Sequence, residues 1–226
     1  MIQKGFMANP HIAAIVPAFN EEKTVANVVK PLVASQYIRE VLVISDGSTD
    51  RTMEVAKAAG ANVHQLPVNR GKGGAMLHAL GHTDAPIIGF FDADLKGFTE
   101  EHVERLVQPV INGSRIMNVG LRDRGWPWTA IGSLLPLISG ERVMHRQVLE
   151  GIPPKFLKGF MIESSLNYYC RTRKYAYGAV VLSGLSIRRK FEKVGYVRGV
   201  IEYILMFYQV IKAVIGVRIA RLRGKF

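Results

Sequence analysis

This sequence predicts an α/β fold with a mainly parallel sheet covered by helices on both faces, on three observations. Short apolar runs rich in Val and Ile recur through the first hundred residues, segments of helical apolar spacing separate them, and each run stops at a polar or glycine-rich cluster. With 226 residues, 48% hydrophobic and 21% charged, the chain has material for one sizeable core and lies outside the composition of disordered chains.

The first strand is predicted over 11–17, where Ile12, Ala13, Ala14, Ile15 and Val16 form a continuous apolar run ended by Pro17. Asn20-Glu21-Glu22 then precedes a helix whose Val25, Val28, Val29 and Leu32 recur at helical spacing, with acids near the positive end of its dipole. A second strand follows at 40–44 and stops at Ser45-Asp46-Gly47-Ser48; Thr49-Asp50-Arg51-Thr52 opens a second helix that Gly60 ends. A third strand is expected at 61–66, a glycine-rich loop at 67–74, a helix at 75–82 and a fourth strand at 86–91. Further elements are expected as a helix at 99–111, a strand at 116–121, a short helix ending over 147–151, a helix at 163–170 and a strand at 176–182. The segment 122–127 reads as a polar loop, and 129–138 as an apolar segment of undefined type.

In a parallel sheet, ligands bind where loops leave the C-terminal ends of the strands. The polar clusters at Asn20, Asp46, Lys72 and Asp92 all fall at or after predicted strand ends, so this topology gathers them along one edge. Asp92-Ala93-Asp94 follows an apolar strand directly, and residues two apart in extended chain share a side, which suits two carboxylates converging on a hard cation such as magnesium or manganese. A solvated turn with Asp as a cap is the alternative. Gly71-Lys72-Gly73-Gly74 offers backbone N–H groups near a helix start and an ammonium for anionic oxygen. Its spacing is not that of a Walker A loop, and no Gly-x-Gly-x-x-Gly follows the first strand, which counts against ATPases and dinucleotide enzymes.

Four blocks together carry a resemblance: Ile15-Val16-Pro17-Ala18-Phe19-Asn20-Glu21-Glu22, Val43-Ile44-Ser45-Asp46-Gly47-Ser48-Thr49-Asp50-Arg51-Thr52, Asn69-Arg70-Gly71-Lys72-Gly73-Gly74-Ala75, and Phe91-Asp92-Ala93-Asp94. In this order and spacing they resemble the family-2 glycosyltransferases of GT-A fold. The resemblance implies a nucleotide-sugar donor, with a UDP-sugar expected, and Mg2+ or Mn2+ as cofactor. It implies that Pro17, Ala18, Asn20 and Glu21 line the nucleoside, that Asp46 accepts from the base, and that Gly71 and Lys72 lie near the nucleotide. Asp92 and Ala93 belong to the same donor set, Asp92 and Asp94 to the metal, and Asp94 is its principal ligand and a catalytic residue. Ser45 stands where the family usually has a second acid.

Ser139-Gly140-Glu141-Arg142 and Gly159-Phe160-Met161-Ile162-Glu163 resemble, more loosely, the acceptor half of the branch that includes glucosyl-3-phosphoglycerate synthases. That implies acceptor binding by Glu141 and Arg142, and a catalytic Glu163 able to take a proton from the acceptor hydroxyl. A helix N-terminal acid stabilised by the dipole is the alternative reading of Glu163. A His that commonly completes the metal site in that branch is replaced by Ile187, which cannot ligate.

The net charge of +12 is concentrated late: from Arg171 onward thirteen Lys/Arg face two acids, 13 − 2 = +11, leaving 17 − 16 = +1 before it. The segment 200–217 is apolar but interrupted by Glu202, Gln209 and Lys212, so an interfacial basic helix is expected rather than a spanning one, with packing on the domain or a second copy of the chain as the alternative. The expected division is a catalytic domain at 1–197 and a basic helical segment at 198–226. Met1–Pro10 lacks a secretory apolar run and Cys170 has no partner cysteine, from which a cytoplasmic enzyme is expected, peripheral at the membrane and with an acceptor of open identity that includes lipid-linked ones. A sugar-phosphate nucleotidyltransferase and a basic nucleic-acid or membrane-binding module are the competing classes; nucleic acid is not the expected partner, because aromatic stacking residues are not interleaved with the arginines.

Overall fold

The computed structural model describes residues 11–122, 139–157 and 161–187, together with Ile215 and Ile219. A seven-stranded sheet is its frame, built from β1 (Ile12–Ala18), β2 (Glu40–Asp46), β3 (Asn62–Leu66), β4 (Ile87–Phe90), β6 (Met117–Arg122), β7 (Arg142–His145) and β8 (Tyr177–Leu182) in the order β3-β2-β1-β4-β7-β6-β8. Two-residue strands β5 (Leu95–Lys96) and β9 (Ser186–Ile187) pair antiparallel beside it. All sheet pairings are parallel except those of β7, which runs against both β4 and β6. The mainly parallel sheet predicted from the apolar runs is therefore present.

Helices α1 (Val25–Ala34), α2 (Thr52–Ala58), α3 (Gly71–Leu80), α4 (Glu100–Ile111), α5 (Arg146–Glu150) and α6 (Met161–Thr172) complete the fold. Alternation along β1 shows why both faces are covered. Ile12, Ala14 and Val16 join one apolar cluster with Val25, Val28, Val29 and Leu32 of α1 and Val103, Leu106 and Val107 of α4. Ala13 and Ile15 point the other way, into a second cluster with Ala75, Met76 and Ala79 of α3 and Ile162, Leu166 and Cys170 of α6. Cys170 is buried there, and burial pushes its thiol up to about 12, so it packs as a small apolar side chain.

Most predicted elements fall within a residue or two of their observed bounds, but three were not anticipated: β5, β9 and β7. The last is the consequential one. Only its first residue, Arg142, belongs to the motif that resembles the acceptor half, and a four-residue run opening on an arginine does not look like a central strand.

The strand order reverses after β3, since β4 returns to the far side of β1. Loops leaving β1 and β4 therefore diverge and open a crevice at the C-terminal edge. One wall is a pair of loops zipped together. Asn20, at φ 54°, accepts from the Thr49 N–H through Oδ1 at 2.9 Å, and its own N–H donates to Ser48 Oγ at 3.1 Å. The Glu21 N–H donates to Thr52 Oγ1 at 2.8 Å, while Glu22 and Asp50 cap each other's loop through the Glu22 and Arg51 N–H groups at 3.2 and 3.1 Å. At φ +72° Gly47 brings the second loop so close to the third that a Cβ there would stand 2.7 Å from the Asn69 nitrogen.

The segment 129–138 and the proposed boundary at 197/198 lie outside the described residues. Of the basic segment, Ile215 and Ile219 are described, helical and exposed. No helix among the described residues is long and apolar enough to cross a membrane.

Candidate active site

Strand polarity decides what meets at the crevice. The C-terminal ends of the parallel strands β2, β4 and β6 deliver Asp46, Asp92 and Arg122 to one edge, and the N-terminus of α3 places Lys72 there. Because β7 is reversed, it is the beginning of that strand that lies at this edge: Arg142 sits opposite Phe90, two residues before Asp92. Ser139, Gly140 and Glu141 are thereby carried onto the carboxylate. Glu163 arrives from the first turn of α6.

Lys72 is the hub. Its Nζ lies 2.5 Å from Asp92 Oδ1 and 3.6 Å from Glu163 Oε1. Burial opposes the ammonium charge, but the fields of Asp92 and then Glu163 outweigh it and raise the Lys72 pKa above its ordinary value. For Asp92, burial works against ionisation; Lys72, Arg122 and Arg142 more than offset that and hold its pKa below the usual carboxylate range. Arg122 Nη2 lies 3.7 Å from Asp92 Oδ2 and 3.1 Å from Glu141 Oε1. Glu141 also accepts from Ser139 Oγ at 2.5 Å.

Gly140 closes this cluster from above. A Cβ at that position would come within 2.6 Å of Lys72 Nζ and nearer still to both Asp92 oxygens. Only a residue without a side chain lets the backbone lie across the ion pair.

The expected acceptor residues are placed differently from a surface clamp. Glu141 is 0% exposed and Arg142 1%, and the Arg142 guanidinium donates to the Ser139 carbonyl through Nε at 3.2 Å and Nη2 at 2.5 Å. Glu163 is buried, with Oε2 lacking any hydrogen-bond partner. Buried carboxylate oxygens are seldom left so, and this one adjoins the crevice cation Lys72.

Among the residues expected to line the nucleotide, Asp46 is buried and its Oδ1 accepts from the Arg70 N–H at 2.7 Å, bracing the loop that leads into α3 two residues before Lys72. Ala18 is buried and Pro17 half-buried at the end of β1; Glu21 is buried, with Oε2 accepting from Thr24 Oγ1 at 2.9 Å. Asn20 is exposed, Gly71 half-buried at φ +73°, and Ala93 buried between the half-buried Asp92 and Asp94. The field of Asp94 reaches Arg122. Ile187 pairs with Leu95, the residue after Asp94, so the chain does return to the acidic pair at that position, with a side chain that cannot ligate.

Arg122 and Gly140 are the site residues that sequence reasoning missed. Arg122 carried a usable sign, a charged residue directly following a predicted strand, but it was assigned to a polar loop. Gly140 falls inside the motif that resembles the acceptor half, but nothing in that motif announces a close approach between segments 48 residues apart.

A charge count defines what the cleft accepts. Within the ion-pair network of the described residues, Lys72, Arg122 and Arg142 supply three positive charges, while Asp92, Asp94, Glu141 and Glu163 supply four negative ones, 3 − 4 = −1. A site of that sign repels a bare polyanion and accepts one accompanied by a cation.

A crevice at the reversal point of a parallel sheet, lined by an acidic pair, a lysine at a helix start and a buried glutamate, is the ligand-binding arrangement of an open α/β fold. The family model described as Glycosyl transferase family 2 matches residues 13–152, and the chain belongs to that family. It is 36% identical over 194 residues to glucosyl-3-phosphoglycerate synthase of Mycobacterium tuberculosis, an alignment covering 69% of this chain and 59% of that protein. An uncharacterised protein of Methanocaldococcus jannaschii is 38% identical over 114 residues, 49% of this chain and 46% of the relative. The chain thus spans about half to three fifths of the length of these two relatives. Among solved structures, the M. tuberculosis synthase with Mn2+, UDP and glucosyl-3-phosphoglycerate matches at a TM-score of 0.76 with 26% identity, covering 95% of this chain and 82% of that one. The same synthase with Mg2+ and UDP matches at 0.74 with 28% identity and covers 95% and 81%. These matches bear out the GT-A fold and the likeness to the synthase branch.

Proposed function

We propose that this chain is a glycosyltransferase that moves a sugar from a nucleoside-diphosphate sugar, a UDP-sugar by preference, to an acceptor hydroxyl, with Mg2+ or Mn2+ held by Asp94 and Asp92. The observation that carries this reading is the crevice itself: Lys72, Asp92, Arg122, Gly140 and Glu163 meet within one ion-pair network beside the Asp46-braced loop. The solved relatives that hold UDP with Mn2+ or Mg2+ support the same donor and ion.

The residues present fit a hard divalent cation, because two carboxylates flank Ala93 at a cleft of net negative charge. When bound, the ion would supply charge neutralisation for a departing diphosphate. Lys72 brings a charge held positive through any physiological pH, placed to receive a phosphate oxygen once the donor loosens its bond to Asp92. Asp46 and the zipped loops bearing Pro17, Ala18, Asn20 and Glu21 form the nucleoside side, where rigid loops fix the donor without an ordering cost at binding. Segment 139–142 and Glu163 form the acceptor side. Glu141 and Arg142 act there through Ser139 and Arg122, and Glu163 takes the acceptor proton at its unpartnered Oε2.

Calorimetric titration with UDP and GDP, each with and without manganese, tests the donor assignment. UDP is expected to bind only with the metal, more tightly than GDP, and about tenfold more weakly to Asp46→Ala, which frees the loop before α3. Metal-independent binding, or unchanged affinity in that variant, would refute the assignment.

The basic segment 198–226 completes the proposal as a separate helix lying on an anionic membrane surface, with the catalytic domain at 1–197 working at its cytoplasmic face. Ile215 and Ile219, one helical turn apart and both exposed, support an apolar stripe flanked by the late arginines. Co-sedimentation with anionic liposomes is expected and should vanish on truncation after Arg198; a truncated chain that still sediments would remove this part of the reading.

A further inference from the structure

A second cluster of chemistry-bearing side chains lies outside the ion-pair network of the crevice. His78 lies in the last turn of α3, His82 four residues on, and His64 on the edge strand β3, next to β2 on which α3 packs. Lys72 is ten residues before His82, about 15 Å at the helical rise of 1.5 Å per residue, so His78 and His82 lie toward the opposite end of α3 from Lys72, and His64 meets them from β3, where it stands opposite Ile44.

The three imidazoles are gathered closely. One ring nitrogen from each lies within 4.8 Å of the others. His78 Nε2 and His82 Nε2 are 3.1 Å apart, and the His64 and His82 ring centroids 3.9 Å. Residues four apart at a helix end share a face, which is the spacing that lets two histidines grip one ion. The Nε2 of His64 is buried and has no hydrogen-bond partner, so its lone pair or proton is unused inside the group. Burial first, then the neighbouring histidines, lowers the His64 pKa; burial, His82 and Arg70 lower that of His78.

We propose that His64, His78 and His82 form a binding site for one borderline divalent transition cation, zinc in the first instance, which ties edge strand β3 to the end of α3 independently of the donor crevice. Tetrahedral ligation with Zn–N bonds near 2.0–2.1 Å separates ligand nitrogens by about 3.3 Å. The existing spread of 4.8 Å exceeds that by only about 1.5 Å, a change that side-chain rotation supplies, led by the exposed His82. Three protein nitrogens leave the fourth position to water. Nitrogen donors select zinc, copper or nickel over the magnesium and manganese that suit the oxygen donors of the crevice, so the two sites differ in ion as well as in place. Arg70 opposes a cation at His78, and direct nitrogen ligation has to exceed that repulsion.

The test uses the full-length chain without a polyhistidine tag, in the Asp94→Ala background so that the acidic pair does not compete. One equivalent of zinc is expected by calorimetry, with a visible cobalt spectrum of tetrahedral type and a rise in melting temperature on zinc addition. His82→Ala, at an exposed position, should retain the circular dichroism of the parent while losing affinity at least about tenfold, together with the cobalt band and the thermal shift. His64→Gln should do the same. Absence of zinc binding, or binding unchanged by either substitution, would overturn the proposal and leave the trio as imidazoles packed on one another.

Discussion

Asp94→Ala is expected to abolish manganese-dependent binding of UDP, by at least about 100-fold in calorimetric affinity, whereas Glu163→Gln keeps the binding and loses turnover instead. The contrast follows from how each carboxylate is committed. Asp92 already faces Lys72 at 2.5 Å and Arg122 at 3.7 Å, so an ion resting on Asp92 alone would meet two positive charges at close range. Without Asp94, that crowded carboxylate is all that the acidic pair has left to hold the ion. Removing Asp94 also shifts the crevice count from −1 to zero, which weakens the pull on a divalent ion without making the cleft positive enough to take the diphosphate alone. Glu163→Gln preserves size and hydrogen-bonding capacity next to Lys72 but removes the group able to accept a proton, for which about a 100-fold loss of turnover is the ordinary scale. Equal loss of UDP affinity in both variants would mean that Glu163 serves the donor side.

Gly140→Ala should reduce glycosyl transfer by about 100-fold or more while the chain stays folded, a larger effect than removing any methyl group from the core would have. The added Cβ would stand within 2.6 Å of Lys72 Nζ and closer to both oxygens of Asp92, and no real contact of that kind survives. The flexible end of Lys72 can retreat; the carboxylate is less free, because it follows β4 directly and Arg122 lies on its other side. Displacement breaks the Lys72–Asp92 pair and moves the acidic pair away from its place in the cleft. Donor titration and turnover assays on this variant read the result, with circular dichroism as the control for folding. Activity within a few-fold of the parent would mean that the approach of segment 139–142 to Asp92 has no part in the reaction.

How much of this was legible before the structure depends on how local the cause was. The core of α1 is an example of full legibility: Val25, Val28, Val29 and Leu32, chosen on spacing alone, are all buried. β1, β2 and β4 were equally plain, since strands buried on both faces must be apolar at nearly every position. Asp46, Lys72 and Asp92 were placed at one edge by the rule that parallel strands discharge their loops on the same side, and the sheet order puts them there. The family resemblance added expectations that spacing does not contain, such as an acceptor role for segment 139–142. What periodicity left unread was β7. Four residues beginning with an arginine carry too little pattern to announce a central strand, and the burial of Arg142 on the Ser139 carbonyl depends on neighbours that are distant in the chain.

The sequence by itself determined the layered α/β architecture, the edge at which chemistry collects and the acidic pair that marks it, because strand burial, helix spacing and loop polarity act over a few residues. Tertiary structure alone decided that Arg122 pairs with Asp92 and Glu141, that Gly140 lies across Lys72 and that three histidines gather at the far end of α3. Those contacts follow from one reversed strand and from the packing of an edge strand against a helix, and distances set by sheet order are not encoded in any short stretch of residues.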